Sequence, residues 1–102
     1  MNIIAKIVGF IDDELDGAEE YAECAIKYKT EHPKLAEALH ELAEVEMGHV
    51  KILHDQVVRL IEEYRRDKGE PPKEMLTIYN YEHNKQVKNS ALIKQMIAEF
   101  ES

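Results

Sequence analysis

Apolar residues recur at the spacing of an α-helix along the middle of the sequence. At 100° per residue, seven of them lie within about 40° of one line; they are Leu35, Leu39, Leu42, Leu53, Val57, Leu60 and Tyr64. The pattern predicts a helix of about 35 residues and about 52 Å, whereas a compact domain of about 100 residues has a radius of gyration near 13 Å. Because a lone helical hairpin cannot bury so long a stripe on both sides, the sequence predicts self-association.

Proline and glycine divide the chain into three segments. Pro33 suits the first turn of a helix and disfavours helical geometry at His32, and the stretch KGEPP at 68–72 combines a glycine with two prolines. We therefore predict helices at about 2–30, 33–67 and 72–100, and no alternating run rich in Val, Ile and Thr indicates a strand. With 102 residues, of which 44% are hydrophobic and 33% charged, the chain is predicted to be a single all-α domain, residues 1–102.

The two outer segments have apolar faces of different quality. The first face is narrow and consists of Ile4, Ile7, Val8, Ile11, Leu15, Ala18, Ala22, Ala25 and Ile26. Glu14 lies on the flank of this face, whereas Glu20 points away from it. The third segment has a broader face with Glu82 and Gln86 in its middle, made by Met75, Ile78, Tyr79, Ile93, Met96, Ile97 and Phe100. That third helix is explained either by docking on the hairpin or by contacts between chains.

Charge and cysteine content narrow the partners and the compartment. A formal charge of −8 without a sustained Lys or Arg cluster argues against nucleic acid and against an anionic membrane surface. No stretch approaches the roughly 20 apolar residues of a membrane span. The lone Cys24 cannot form an internal disulfide, which fits a reducing compartment. We expect a cytoplasmic protein.

Two polar residues interrupt the apolar stripe of the middle segment. Glu46 and His49, in the sequence EMGH, lie on the predicted buried face three residues apart, so both side chains could reach one metal ion. A buried unpaired charge costs several kcal/mol and requires a partner, a metal or neutralisation. Glu37 and His40 have the same spacing but lie outside the stripe, where a solvated face explains them. For Glu46 and His49, a metal site and a hydrogen-bonded pair tying two helices both remain open.

The number of ligands favours a metal site shared by two chains. Helix-bundle dimetal sites use a Glu from each of two helices and a Glu-x-x-His pair from each of the other two. One chain offers half of this set, namely Glu14 from the first helix with Glu46 and His49 from the second. Two hairpins about a two-fold axis would complete it. The ligand set and the length of the middle helix therefore predict the same dimer.

Three features spanning roughly residues 10 to 66 resemble the ferritin-like superfamily, in particular the short encapsulated-ferritin type. They are Glu14-x6-Tyr21, the helix start Pro33-x-Leu35, and Glu46-x-x-His49 thirteen residues after Pro33. The resemblance implies a hairpin that dimerises into a four-helix bundle around a di-iron centre, which oxidises Fe(II) with O₂ or peroxide. It implies that Glu14, Glu46 and His49 are the metal-binding and catalytic residues, and that Tyr21 hydrogen-bonds beside them.

Two details depart from that family. The connection between the first two helices is slightly longer, which shifts the level of Glu14 by up to about one turn, so Glu19 is the reserve ligand and Asp16 a weaker one. The chain also lacks a recognisable C-terminal tail for loading into a protein shell, so encapsulation is not predicted.

The sequence therefore supports two hypotheses. The first is a ferroxidase-like homodimer, or higher homo-oligomer, with two metal ions per dimer, for which iron is expected and Mn, Zn or Ca are substitutes. The second is a non-enzymatic oligomerisation module in which Glu14, Glu46 and His49 form a buried polar network that sets the helix register.

Overall fold

The computed structural model describes residues 2–102, which form three α-helices: α1 (Asn2–Tyr28), α2 (Pro33–Lys68) and α3 (Lys73–Glu101). No strand occurs among these residues, so the all-helical prediction is confirmed. The described chain measures 55 × 19 × 18 Å, and its radius of gyration of 16.3 Å exceeds that of a compact domain of this length. The elongation follows from the 36 residues of α2, which run without a break.

Local backbone chemistry accounts for the helix boundaries. α1 ends at Tyr28, two residues before its predicted end, because the turn to α2 begins there. His32, just before Pro33, has the non-helical angles φ −136° and ψ 68°. α2 ends at Lys68. The next residue, Gly69, has a φ of +86°, a conformation that favours glycine, and its N–H donates to the Arg65 carbonyl at 3.0 Å. The Pro72 carbonyl then accepts the first backbone hydrogen bonds of α3.

α1 and α2 form a closely packed hairpin whose contact line differs from the predicted leucine stripe. The fully or almost fully buried alanines of the hairpin are Ala18, Ala22, Ala25, Ala36 and Ala43. On α2, Ala36, Ala43 and Ile61 lie about 80–100° round the helix from Leu35. Small side chains let α1 approach along that line, so Leu35 and Leu42 remain 49% and 42% exposed. These exposures agree with the prediction that a lone hairpin cannot bury the whole stripe.

α3 docks on the hairpin, mainly along α1 and only slightly on α2. Its middle is anchored by the buried Gln86, whose Nε2 donates to the Val8 carbonyl at 3.1 Å and to Asp12 Oδ1 at 3.0 Å. Ile93 is buried in the apolar core shared by the three helices, whereas Ile78, predicted on the same face, is 65% exposed. Within one chain, docking therefore explains the third helix.

The far end of α3 is held at the turn between α1 and α2. Lys29 Nζ donates to the carbonyls of Phe100 and Ser102, and the His40 ring stacks on Phe100 with 4.4 Å between ring centroids. None of the described helices is long and apolar enough to cross a membrane.

Candidate metal centre

Glu14 from α1 meets Glu46 and His49 from α2 at the middle of the hairpin. His49 Nδ1 lies 3.2 Å from Glu14 Oε2 and 3.8 Å from Glu46 Oε1. One possible ligand atom from each of the three residues lies within 4.8 Å of the other two. The three-residue spacing places Glu46 and His49 together, and antiparallel packing brings Glu14 to the same level. We refer to these three residues as the trio.

The trio lies at an open edge of the single chain and not in its core. The side chains of Glu14 and Glu46 are 27% and 23% exposed, and that of His49 is 46% exposed. Their burial was predicted for the dimer, and within one chain both Glu46 and His49 stay partly exposed. The physical reason is the position of α3, which contacts Val8 and Asp12, about 120–160° round α1 from Glu14.

Exposed apolar side chains lie along α1 and α2 on the same side of each helix as the trio, away from α3. They are Ile3 and Phe10 on α1, and Leu35, Leu42, Val45 and Ile52 on α2. Phe10 lies one turn before Glu14, and Val45 and Ile52 lie about one turn to either side of His49. We call these six residues the open face. A large exposed apolar patch is typical of a surface that contacts another protein.

The two carboxylates of the trio perturb each other. The pKa of Glu46 is raised above its ordinary value of 4.5 by its hydrogen bond to Glu14, by loss of solvent and by the charge of Glu14. The pKa of Glu14 is lowered by the same hydrogen bond and by its contacts with His49, against the opposing effect of desolvation. Glu46 therefore takes up a proton more readily than Glu14 does as the pH falls.

Replacing Glu46 with Gln is expected to stabilise the metal-free protein at pH 7 by roughly 1 kcal/mol, because it removes a like-charge contact and keeps a donor for Glu14. The raised pKa of Glu46 means that its contribution to the stability of the fold is fully present below its ordinary pKa of 4.5. This contribution is lost as the pH rises through the pKa that Glu46 has in the folded protein. The lowered pKa of Glu14 has the opposite effect: the ionised Glu14 stabilises the fold at higher pH, and this contribution is lost as the pH falls.

The measurement is thermal unfolding of both metal-free proteins between pH 4 and pH 7. The gain in Tm of Glu46→Gln should shrink as the pH falls and wild-type Glu46 takes up its proton. Glu20→Gln, at an exposed position of α1, serves as the control for loss of one negative charge. A gain that grows towards pH 4 would contradict the raised pKa of Glu46.

The structure distinguishes Glu14 from the alternative carboxylates of α1. Glu19 and Asp16 do not join the trio, and Glu20 is exposed, as predicted. Tyr21 is half-buried, two turns beyond Glu14 on the same side of α1. Among residues 2–102, no hydrogen bond joins the Tyr21 hydroxyl to the trio.

The structure also contains a second group of possible metal ligands that was not predicted from the sequence. His40 Nε2 lies 2.9 Å from Glu44 Oε1 and 3.1 Å from Glu101 Oε1, and only 14% of the His40 side chain is exposed. The prediction that His40 belongs to a solvated face is therefore wrong, because the end of α3 covers it. The four-residue spacing of His40 and Glu44 was a visible signal, but Glu101 joins them only through the docking of α3.

The donor atoms of the trio are compatible with a hard or borderline metal ion. Two carboxylates and an imidazole suit iron or manganese, and Cys24 contributes no thiolate to this group. Comparison of the chain with models of protein families, with curated proteins and with solved structures found no match. The ferritin-like resemblance thus rests on the motif residues alone, and the metal-binding role of the trio stays a prediction.

Proposed function

We propose that two copies of the chain pair through the open face and hold two metal ions between their trios, and that the dimer oxidises Fe(II). One observation carries this proposal: two carboxylates and an imidazole from two helices converge, with ligand atoms within 4.8 Å, at the middle of an apolar surface that α3 leaves bare. A second copy would bury that surface and bring four carboxylates and two imidazoles together.

Iron fits the proposed reaction as substrate. Two Fe(II) ions would each lose one electron, and one O₂ would take both electrons and two protons to leave as hydrogen peroxide. Peroxide is the alternative oxidant. The Glu14 and Glu46 carboxylates would favour the more highly charged Fe(III) product, and the neutral His49 imidazole would complete each half-site. Pairing through the open face would also exclude water from the carboxylates and strengthen their attraction for the metal.

The test is anaerobic addition of Fe(II) to metal-free protein, with iron content and mass in solution measured together, followed by exposure to O₂. We expect near two irons per dimer and Fe(II) oxidation well above the rate in buffer. His49→Ala should lower that rate at least about tenfold, because it removes one ligand from each half-site. His32→Ala, at an exposed position before α2, is the control for loss of an imidazole.

A non-enzymatic oligomerisation module is the second candidate function. The observation that favours it is the contact of His49 Nδ1 with Glu14 Oε2, which joins α2 to α1 through their polar side chains. If the chain is such a module, we expect an oligomer whose mass does not depend on metal, and a change of oligomeric state in Glu46→Ala. A dimer that binds iron only at background level, with no effect of His49→Ala on oxidation, would support the module and contradict the ferroxidase.

A further inference from the structure

One glycine of α1 lies directly opposite the Glu46 carboxylate. A Cβ atom built on Gly17 would lie 3.3 Å from Glu46 Oε2 and 3.9 Å from Glu46 Cδ, and apart from its chain neighbours and the helix's own backbone no other atom comes within 4 Å. A contact of 3.3 Å is tighter than nine in ten Cβ contacts, so the carboxylate would have to move. The space next to Gly17 is therefore occupied by this one side chain.

Backbone conformation does not explain the glycine. Gly69 is the one glycine of the described chain with a positive φ, so Gly17 has ordinary helical geometry that alanine adopts more readily. Gly9 in α1 and Gly48 in α2 are also helical, and a Cβ there would meet nothing within 4 Å. Gly17 thus differs from the other helical glycines in what stands opposite it.

The position of Gly17 relates it to the trio. It follows Glu14 by three residues, so the two lie one turn apart on neighbouring parts of the same side of α1. Glu46 reaches across from α2 to this place, where its carboxylate lies against the α1 backbone and beside the Glu14 carboxylate. A Cβ atom at residue 17 would shift the Glu46 oxygens by a few tenths of an ångström from their place beside Glu14 and His49.

We propose that Gly17 is a positioning residue for the metal centre: the missing side chain leaves the space that sets the place of the Glu46 carboxylate between Glu14 and His49. The inference rests on the proposed function for its metal-binding consequence, whereas its steric part concerns the metal-free chain alone. Gly17 does not touch the metal in this proposal. It acts only through Glu46.

The steric part is tested by a double-mutant cycle on metal-free protein, with Tm as the readout. Gly9→Ala should raise Tm by about 2–8 °C through helix propensity. Gly17→Ala should gain clearly less in the wild-type background, and the full amount in a Glu46→Ala background, where the opposing carboxylate is absent. Equal gains for Gly17→Ala in both backgrounds would overturn the proposal.

The metal-binding part is tested with Co²⁺ alone, whose visible absorption reports the arrangement of its ligands. Gly17→Ala should weaken Co²⁺ binding by about threefold or more and alter its spectrum, because the new Cβ shifts the Glu46 carboxylate by a few tenths of an ångström from its place beside the other ligands. Gly9→Ala should leave both unchanged. Wild-type affinity and an unaltered spectrum in Gly17→Ala would overturn the proposal. If the wild-type protein itself binds no Co²⁺ specifically, the proposed function fails, and the double-mutant cycle still decides whether Gly17 places Glu46.

Discussion

Val45→Glu is expected to abolish the proposed dimer and, with it, specific iron binding. Val45 is 46% exposed in the single chain and lies one turn before His49 on the open face. A two-fold axis would place the new carboxylate in the interface twice, and each buried unpaired charge costs several kcal/mol. We therefore expect the dimer dissociation constant to rise by about a thousandfold or more.

Val87→Glu is the matched control for this prediction. Val87 is 53% exposed on α3, and the same change there adds the same charge away from the trio. Mass in solution and iron content should be measured for both variants, with thermal unfolding as the check that each chain folds. The Val87 variant should behave as wild type. A Val45 variant that still dimerises and still binds two irons would contradict the open face as the interface.

Leu15→Ala is expected to lower the free energy of unfolding by about 2–5 kcal/mol, because it removes a leucine from a packed core and leaves a cavity. Leu15 is 1% exposed and belongs to the core that joins all three helices. For a domain of this size the loss corresponds to a fall in Tm of roughly 10–30 °C. Urea unfolding of the metal-free protein measures the free energy directly.

Leu92→Ala provides the comparison, since Leu92 is 45% exposed on α3. We expect that change to cost less than about 1 kcal/mol. Similar losses in the two variants would mean that the core does not depend on Leu15.

Metal added in about hundredfold excess over its dissociation constant should stabilise each variant that retains the trio by about 2.7 kcal/mol.

Much of the helical architecture was predictable because helix boundaries depend on local chemistry. Pro33 lacks a backbone N–H and suits a first turn, and the predicted start of α2 agrees with the structure. Gly69 supplies the positive φ that ends the same helix. The end of α1 differed by two residues, since no proline or glycine marks it.

The candidate site was predictable to the extent that it is local. Glu46 and His49 are neighbours because they lie three residues apart on one helix, whatever packs against them. The choice of Glu14 over Glu19 depended on how α1 and α2 slide past each other, which the length of the turn left uncertain by about one turn. The cluster of His40, Glu44 and Glu101 required knowledge of where α3 ends on the hairpin.

The sequence by itself determined three helices, their approximate limits and the pairing of Glu46 with His49, because hydrogen bonds and sterics within a few residues decide them. Only the tertiary structure decided that Glu14 completes the trio, that α3 lies along α1, and that the trio and the open face stay exposed in one chain. Those features depend on the rotation and register of packed helices, which small buried alanines such as Ala18 and Ala43 set through contacts distant in sequence.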